Sequence, residues 1–143
     1  MSAADSKNVN ASRSLSISYE NVGDIFLRTG DAAGSLENYL KSLAILERLQ
    51  TAGASNVQLG RDLARLYSKL GGACAALAAT TETPLTRRME RWRQAVEWQE
   101  KSLNLWLDLR NRNLLRGDDV QQVDKLTKEL QKSKLALARS GSI

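Results

Sequence analysis

The sequence predicts an all-α fold, an α-α superhelix or solenoid of two helix hairpins followed by a C-terminal capping helix. Three observations carry this expectation. Apolar residues recur at spacings of three and four through five successive segments, the period of an amphipathic helix. Runs of Val, Ile and Thr are almost absent, and Pro84 is the single proline among 143 residues. Most tellingly, one pattern is written twice. Arg13 to Asp24, RSLSISYENVGD, matches Arg61 to Gly72, RDLARLYSKLGG, at a shift of 48, and Gly34 to Leu49 matches Gln94 to Leu109 at a shift of 60. About twelve extra residues around 75–91 account for the change of shift, so a helix pair occurs twice with its connection expanded the second time. Units that bury their apolar faces only against one another form stacked arrays.

Residues 1–12 are small and polar and are expected to form a flexible leader before a helical domain over 13–138. In the first helix Leu15, Tyr19, Val22 and Phe26 fall on one stripe, expected to be buried. Gly30 suits the left-handed turn that ends a helix, and Asp31 suits the cap of the next. The second helix, to about Gln50, carries Leu36, Tyr39, Leu43 and Leu46, which completes repeat one over 13–50. Repeat two spans about 56–110. Ser55 or Asn56 caps a third helix striped by Leu59, Leu63, Leu66 and Leu70, which continues through Gly71 and Gly72 toward Ala79. In TTETP, Thr83 is a cap candidate and Pro84 fits the first helical position. The fourth helix has two adjoining stripes, one through Met89, Trp92 and Trp106 and one through Ala95, Trp98 and Leu109. A helix with so wide an apolar face packs on more than one neighbour. Asp118 or Asp119 starts a polar capping helix over about 119–138, anchored by Val123, Leu126 and Leu130 with Leu135 or Leu137, and 139–143 form a flexible tail.

Composition narrows the function classes. The chain has no histidine and one cysteine, Cys74. That removes Ser-His-Asp and Cys-His catalysis, histidine metal sites and any intramolecular disulfide. No carboxylate or lysine stands out as a catalytic group, so the chain is expected not to be an enzyme, with no catalytic, cofactor-binding or metal-binding residues and no cofactor. A small enzyme using carboxylates is the least favoured alternative. No window is apolar enough for a membrane span and no signal peptide precedes the helices, so a cytoplasmic protein without membrane contact is expected. The net charge of +5 sits in the second part, where residues 61–143 hold sixteen Lys and Arg against ten Asp and Glu. Arg87, Arg88, Arg91 and Arg93 open the fourth helix, the less favourable end for cations. A basic module making weak nucleic-acid contacts is therefore a secondary reading. Cys74 reads as a small buried hydrophobe.

The spacing Tyr19-x-x-Val22-Gly23-x-x-Phe26, followed by Gly30, Ser35, Tyr39 and Ser42, resembles the tetratricopeptide repeat, whose signature is W-x₂-L-G-x₂-Y and then A-x₃-F. The second copy keeps Tyr67, Leu70 and Gly71, has Cys74 at the aromatic place, and resumes with Ala95, Gln99 and Ser102. The likeness covers about 13–110, is best in the first copy, and is to the bacterial long-period variety. It implies that Gly23 and Gly71 let paired helices approach closely, and that the chain is a scaffold holding a peptide or protein segment in a shallow groove. The groove positions it implies are Ile17, Glu20, Asn21, Asp24, Leu27 and Arg28 of the first helix, with Arg65, Ser68 and Lys69 of the third. Asn21, Arg65 and Lys69 are the candidates for holding a carboxylate, while Glu20 and Asp24 favour a basic or mixed partner. Trp92 and Trp98 are candidate partner anchors. Two repeats are fewer than such arrays need, so either the last helix and the expanded connection close the fold or chains pair edge to edge as a dimer, and the chain is expected to be a terminal piece of a longer repeat protein.

Overall fold

A computed structural model describes residues 3–53, 56–80 and 83–140. Five helices follow one another: α1 (Ala3–Arg28), α2 (Ala32–Thr51), α3 (Val57–Ala78), α4 (Leu85–Asn111) and α5 (Asp119–Ser140). Each packs on its neighbours in the chain, giving an all-α, five-helix bundle. Asp31 accepts from the Gly34 amide at 2.8 Å to cap α2, after Gly30 turns the chain at φ +90°. Asn56 caps α3 by accepting from the Leu59 amide at 2.7 Å. Ser55, the other cap candidate, and residues 141–143 of the expected tail lie outside the described residues.

Four expectations change. Helix α1 begins at Ala3, not near Arg13, because a helix once nucleated extends cheaply through a stretch as free of glycine and proline as AADSKNVNAS. Most of the expected connection 75–91 is helical as well, since α3 runs to Ala78 and α4 starts at Leu85. Thr83 does not cap α4: its hydroxyl donates to the Leu77 carbonyl at 3.1 Å and ties the loop back onto α3, while Pro84 stands at the cap position without a side-chain bond. The fourth concerns the stripe of α1. Leu15 and Val22 are exposed and Tyr19 and Phe26 half-buried, whereas Ser16, Glu20 and Gly23 are the buried residues among those described in this helix. Periodicity gave the stripe, but α1 meets its neighbours through its small and polar side.

The core forms in two parts. Tyr39, Leu43 and Leu46 of α2 meet Leu59, Leu63, Leu66, Leu70 and Ala73 of α3. Ala64 of α3, Trp106 and Leu109 of α4, and Val123 and Leu126 of α5 form the second. A fully buried side chain of this size contributes about 1.5–3 kcal/mol. On α5, Leu130 and Ser133 complete the buried stripe, while Leu135 is exposed. Cys74 is buried, and burial pushes its thiol pKa up to about 11 against the opposing Arg91 charge.

The contacts of the two hairpins recur position for position at the shifts read from the sequence, with different atoms filling some of the places. A Cβ at Gly23 would lie 2.5 Å from the Tyr39 ring and 3.2 Å from the Ser35 carbonyl, and a Cβ at Gly71 would lie 2.6 Å from Gln99 and 3.3 Å from the Ala95 carbonyl. The hydroxyls of Ser16 and Ser42 meet at 2.7 Å, and the Ser102 hydroxyl donates to the Ala64 carbonyl at 2.6 Å. Lys41 lies over the Tyr19 ring and Lys101 over that of Tyr67, each 5.8 Å from the centroid.

Gly23→Ala is expected to lose about 1–3 kcal/mol through overpacking, and Gly71→Ala less, because Gln99 can swing aside where a ring cannot. Gly72→Ala meets open space on the same helix and should gain about 0.5–1 kcal/mol. Urea denaturation of the three variants checks this order. Cys74 should react with a thiol-specific disulfide reagent at pH 8 about a hundredfold more slowly in the native protein than in urea, as followed by absorbance.

Candidate functional site

The nine groove positions expected from the sequence divide sharply in the structure. Glu20 is buried, Ile17, Asp24, Leu27, Arg65, Ser68 and Lys69 are half-buried, and Asn21 and Arg28 are exposed. The four charged residues central to the expected groove are bound to one another. Arg65 grips Glu20 with two bonds, Nε to Oε1 at 2.8 Å and Nη2 to Oε2 at 3.1 Å. Lys69 Nζ donates to Asp24 Oδ2 at 2.8 Å and lies 3.3 Å from Glu20 Oε1. Asp24 Oδ1 in turn accepts from the Tyr39 hydroxyl at 2.6 Å. Burial and the Asp24 bond raise the Tyr39 pKa, and Glu20 raises that of Arg65 against its own desolvation.

One turn earlier stands a carboxylate that the sequence reading passed over. Asp62 is almost wholly buried and receives Arg13 Nε at 2.6 Å, Gln58 Nε2 at 3.0 Å and Arg65 Nη2 at 3.3 Å. The step recurs between α3 and α5. Arg61, 48 positions after Arg13, places its Nε 3.5 Å from Asp119 and donates from Nη2 to the Leu114 carbonyl. A line of ion pairs thus stitches α1 to α3 and α3 to α5 along one face. The signal in the sequence was Arg13 and Arg61 in register, each opening its copy of the pattern.

Between α3 and α5 this face opens into a cleft of about 330 Å³ lined by Gln58, Arg61, Arg65, Ser68, Lys69, Trp106, Asp118, Asp119, Gln122 and Lys125. Trp106 forms its floor. The indole Nε1 of this buried residue has no hydrogen-bond partner, and a buried N–H left unmatched costs on the order of 1–3 kcal/mol. Most of the wall consists of N–H donors, so the cleft favours groups that accept hydrogen bonds.

The other candidates are engaged in packing. Trp98 stacks on Tyr67 at 5.5 Å between centroids, with Lys101 over its ring at 5.1 Å, and Trp92 is half-buried. In the arginine cluster, Arg88 donates to the Thr83 carbonyl, Arg91 to Gln94 and Arg93 to Glu90. Among the described residues, no group of three or more Cys, Asp or Glu could hold a metal ion, and no helix is long and apolar enough to cross a membrane.

Asp62→Ala is expected to lower stability by about 1–3 kcal/mol, less than for a wholly buried pair because Arg13 and Arg65 can rehydrate. Glu90→Ala, which removes the exposed pair with Arg93, should cost under about 0.5 kcal/mol. Thermal denaturation of both variants measures the difference. No family model matches the chain, and neither a curated protein nor a solved structure matches it.

Proposed function

We propose that the chain is a protein-interaction module of the tetratricopeptide kind, holding an extended polypeptide segment in the cleft between α3 and α5. The observation that carries this reading is the open cleft itself, where Gln58, Arg61, Arg65, Ser68, Lys69, Gln122 and Lys125 set N–H and O–H donors around Trp106. A peptide carbonyl or carboxylate seated there has Gln58, Ser68, Gln122 and Lys125 around it as polar partners. The internal pairing of Glu20, Asp24, Arg65 and Lys69 favours a binding role farther along the same face than the α1 groove positions. It also lets Arg65 and Lys69 serve as fixed walls. A cytoplasmic scaffold, within a longer repeat protein or by itself, accords with this reading.

The resemblance supports the reading through its geometry. Gly23 against Tyr39 and Gly71 against Gln99 are the close helix approaches that the repeat requires. Each hairpin then presents its first helix to the same face.

Selection from a random peptide library followed by calorimetric titration tests the proposal. Selected peptides should lose about fivefold in affinity with Lys125→Ala, which removes a charged donor from the wall, and should lose detectable binding with Ser68→Arg, which fills the cleft. Peptides that bind all three proteins equally, or a library that yields none, would refute it.

A further inference from the structure

We infer that α1 carries a self-association surface, and that a second copy of this chain docks on it about a two-fold axis, α1 antiparallel to α1. The inference rests on the internal repeat of the fold and is independent of the cleft. On α3, Leu63, Leu66, Leu70 and Ala73 are covered by α2, with Leu63 3%, Leu70 0% and Ala73 0% exposed. Sixty positions on, Val123, Leu126, Leu130 and Ser133 of α5 are buried as α5 packs on α4. Forty-eight positions back, the same register gives Leu15, Ser18, Val22 and Ile25 of α1. These are open to solvent, with Leu15 50%, Val22 39% and Ile25 52% exposed. The face that the fold covers with a helix on α3 and α5 is uncovered on α1 alone.

Three features favour a second copy as the cover. With Ala11, the strip has steps of four, three, four and three, the spacing of the seam between two coiled helices. It carries no charge from Ala11 to Ile25, because Arg13, Glu20 and Asp24 are turned to α3 and paired there. A two-fold contact sets a surface against itself, so each charge on it would need an opposite charge at the position it meets in the second copy, and an uncharged strip needs no such match. The axis brings Leu15 of one copy to Ile25 of the other, with Ser18 and Val22 between. Growth into a head-to-tail filament is disfavoured, because the exposed side of α5 sets Asp124, Lys128 and Gln131 between Val120 and Leu135.

Sedimentation velocity of the full chain tests this. The wild type is expected to sediment as a dimer in the micromolar range, and Ile25→Lys as a monomer with its helical circular dichroism unchanged. Burying that charge twice per dimer should weaken association at least about a hundredfold. Leu135→Lys, at an equally exposed leucine on α5, should leave the dimer intact, as should Ser68→Arg in the cleft. Ser18→Cys should be joined to a second copy by a short bis-maleimide, while wild type, whose Cys74 is buried, should not. This last readout holds even if Ile25→Lys alters folding. A wild type that stays monomeric at about 1 mM overturns the inference. So does a dimer broken by Leu135→Lys and not by Ile25→Lys, or an absence of cross-linking at Ser18→Cys.

Discussion

The separation between the two helices of each hairpin governs the rest of the molecule. At Gly23 and Gly71 the backbone of one helix rests directly against Tyr39 and Gln99 of its partner. That approach brings Ser16 within bonding distance of Ser42 and Ser102 within reach of the Ala64 carbonyl. Hydroxyls buried between helices need such partners, or their desolvation would oppose the packing. Glycine and serine therefore act together, the first setting the gap and the hydroxyls of Ser16, Ser42 and Ser102 filling it with bonded polar atoms.

A second layer of organisation lies in the charges. From α2 to α5 the helices share apolar cores, whereas α1 meets α2 through Gly23 and Ser16 and meets α3 through charged side chains that cross the face, as Arg61 of α3 also does toward α5. Buried ion pairs often add little net stability, because desolvation offsets attraction. Their contribution here is geometric. Asp62 accepts from residues on two helices, which restricts how far the second hairpin can rotate against the first.

Much of the architecture was legible in the residues. The five helices, the caps at Asp31 and Asn56, the turn at Gly30 and the register of the two copies all follow from local chemistry that acts within a few positions. What escaped depends on neighbours distant in sequence. The stripe Leu15, Tyr19, Val22 and Phe26 specifies an apolar side of α1 without saying whether anything lies against it. Glu20 reads as a groove acid open to a partner, and nothing in the sequence singles out Asp62, because the guanidinium that matches Glu20, and Arg13 that matches Asp62, stand 45 and 49 residues away. Trp106 shared a stripe with Trp92, and only the arrival of α5 buries it and makes the floor of a cleft. Thr83 and Pro84 carried helix-start signals, yet a hydroxyl with a free carbonyl nearby can bond outside its own helix, as Thr83 does with Leu77.

The serial order of the helix contacts has a consequence for how the chain comes together. Each helix touches the one made just before it, so little loop entropy opposes any step and assembly can advance hairpin by hairpin. Stability in such a design is shared out along the chain instead of residing in a single centre. The last helix can peel away while the rest stays knit, and what its departure uncovers is the indole of Trp106.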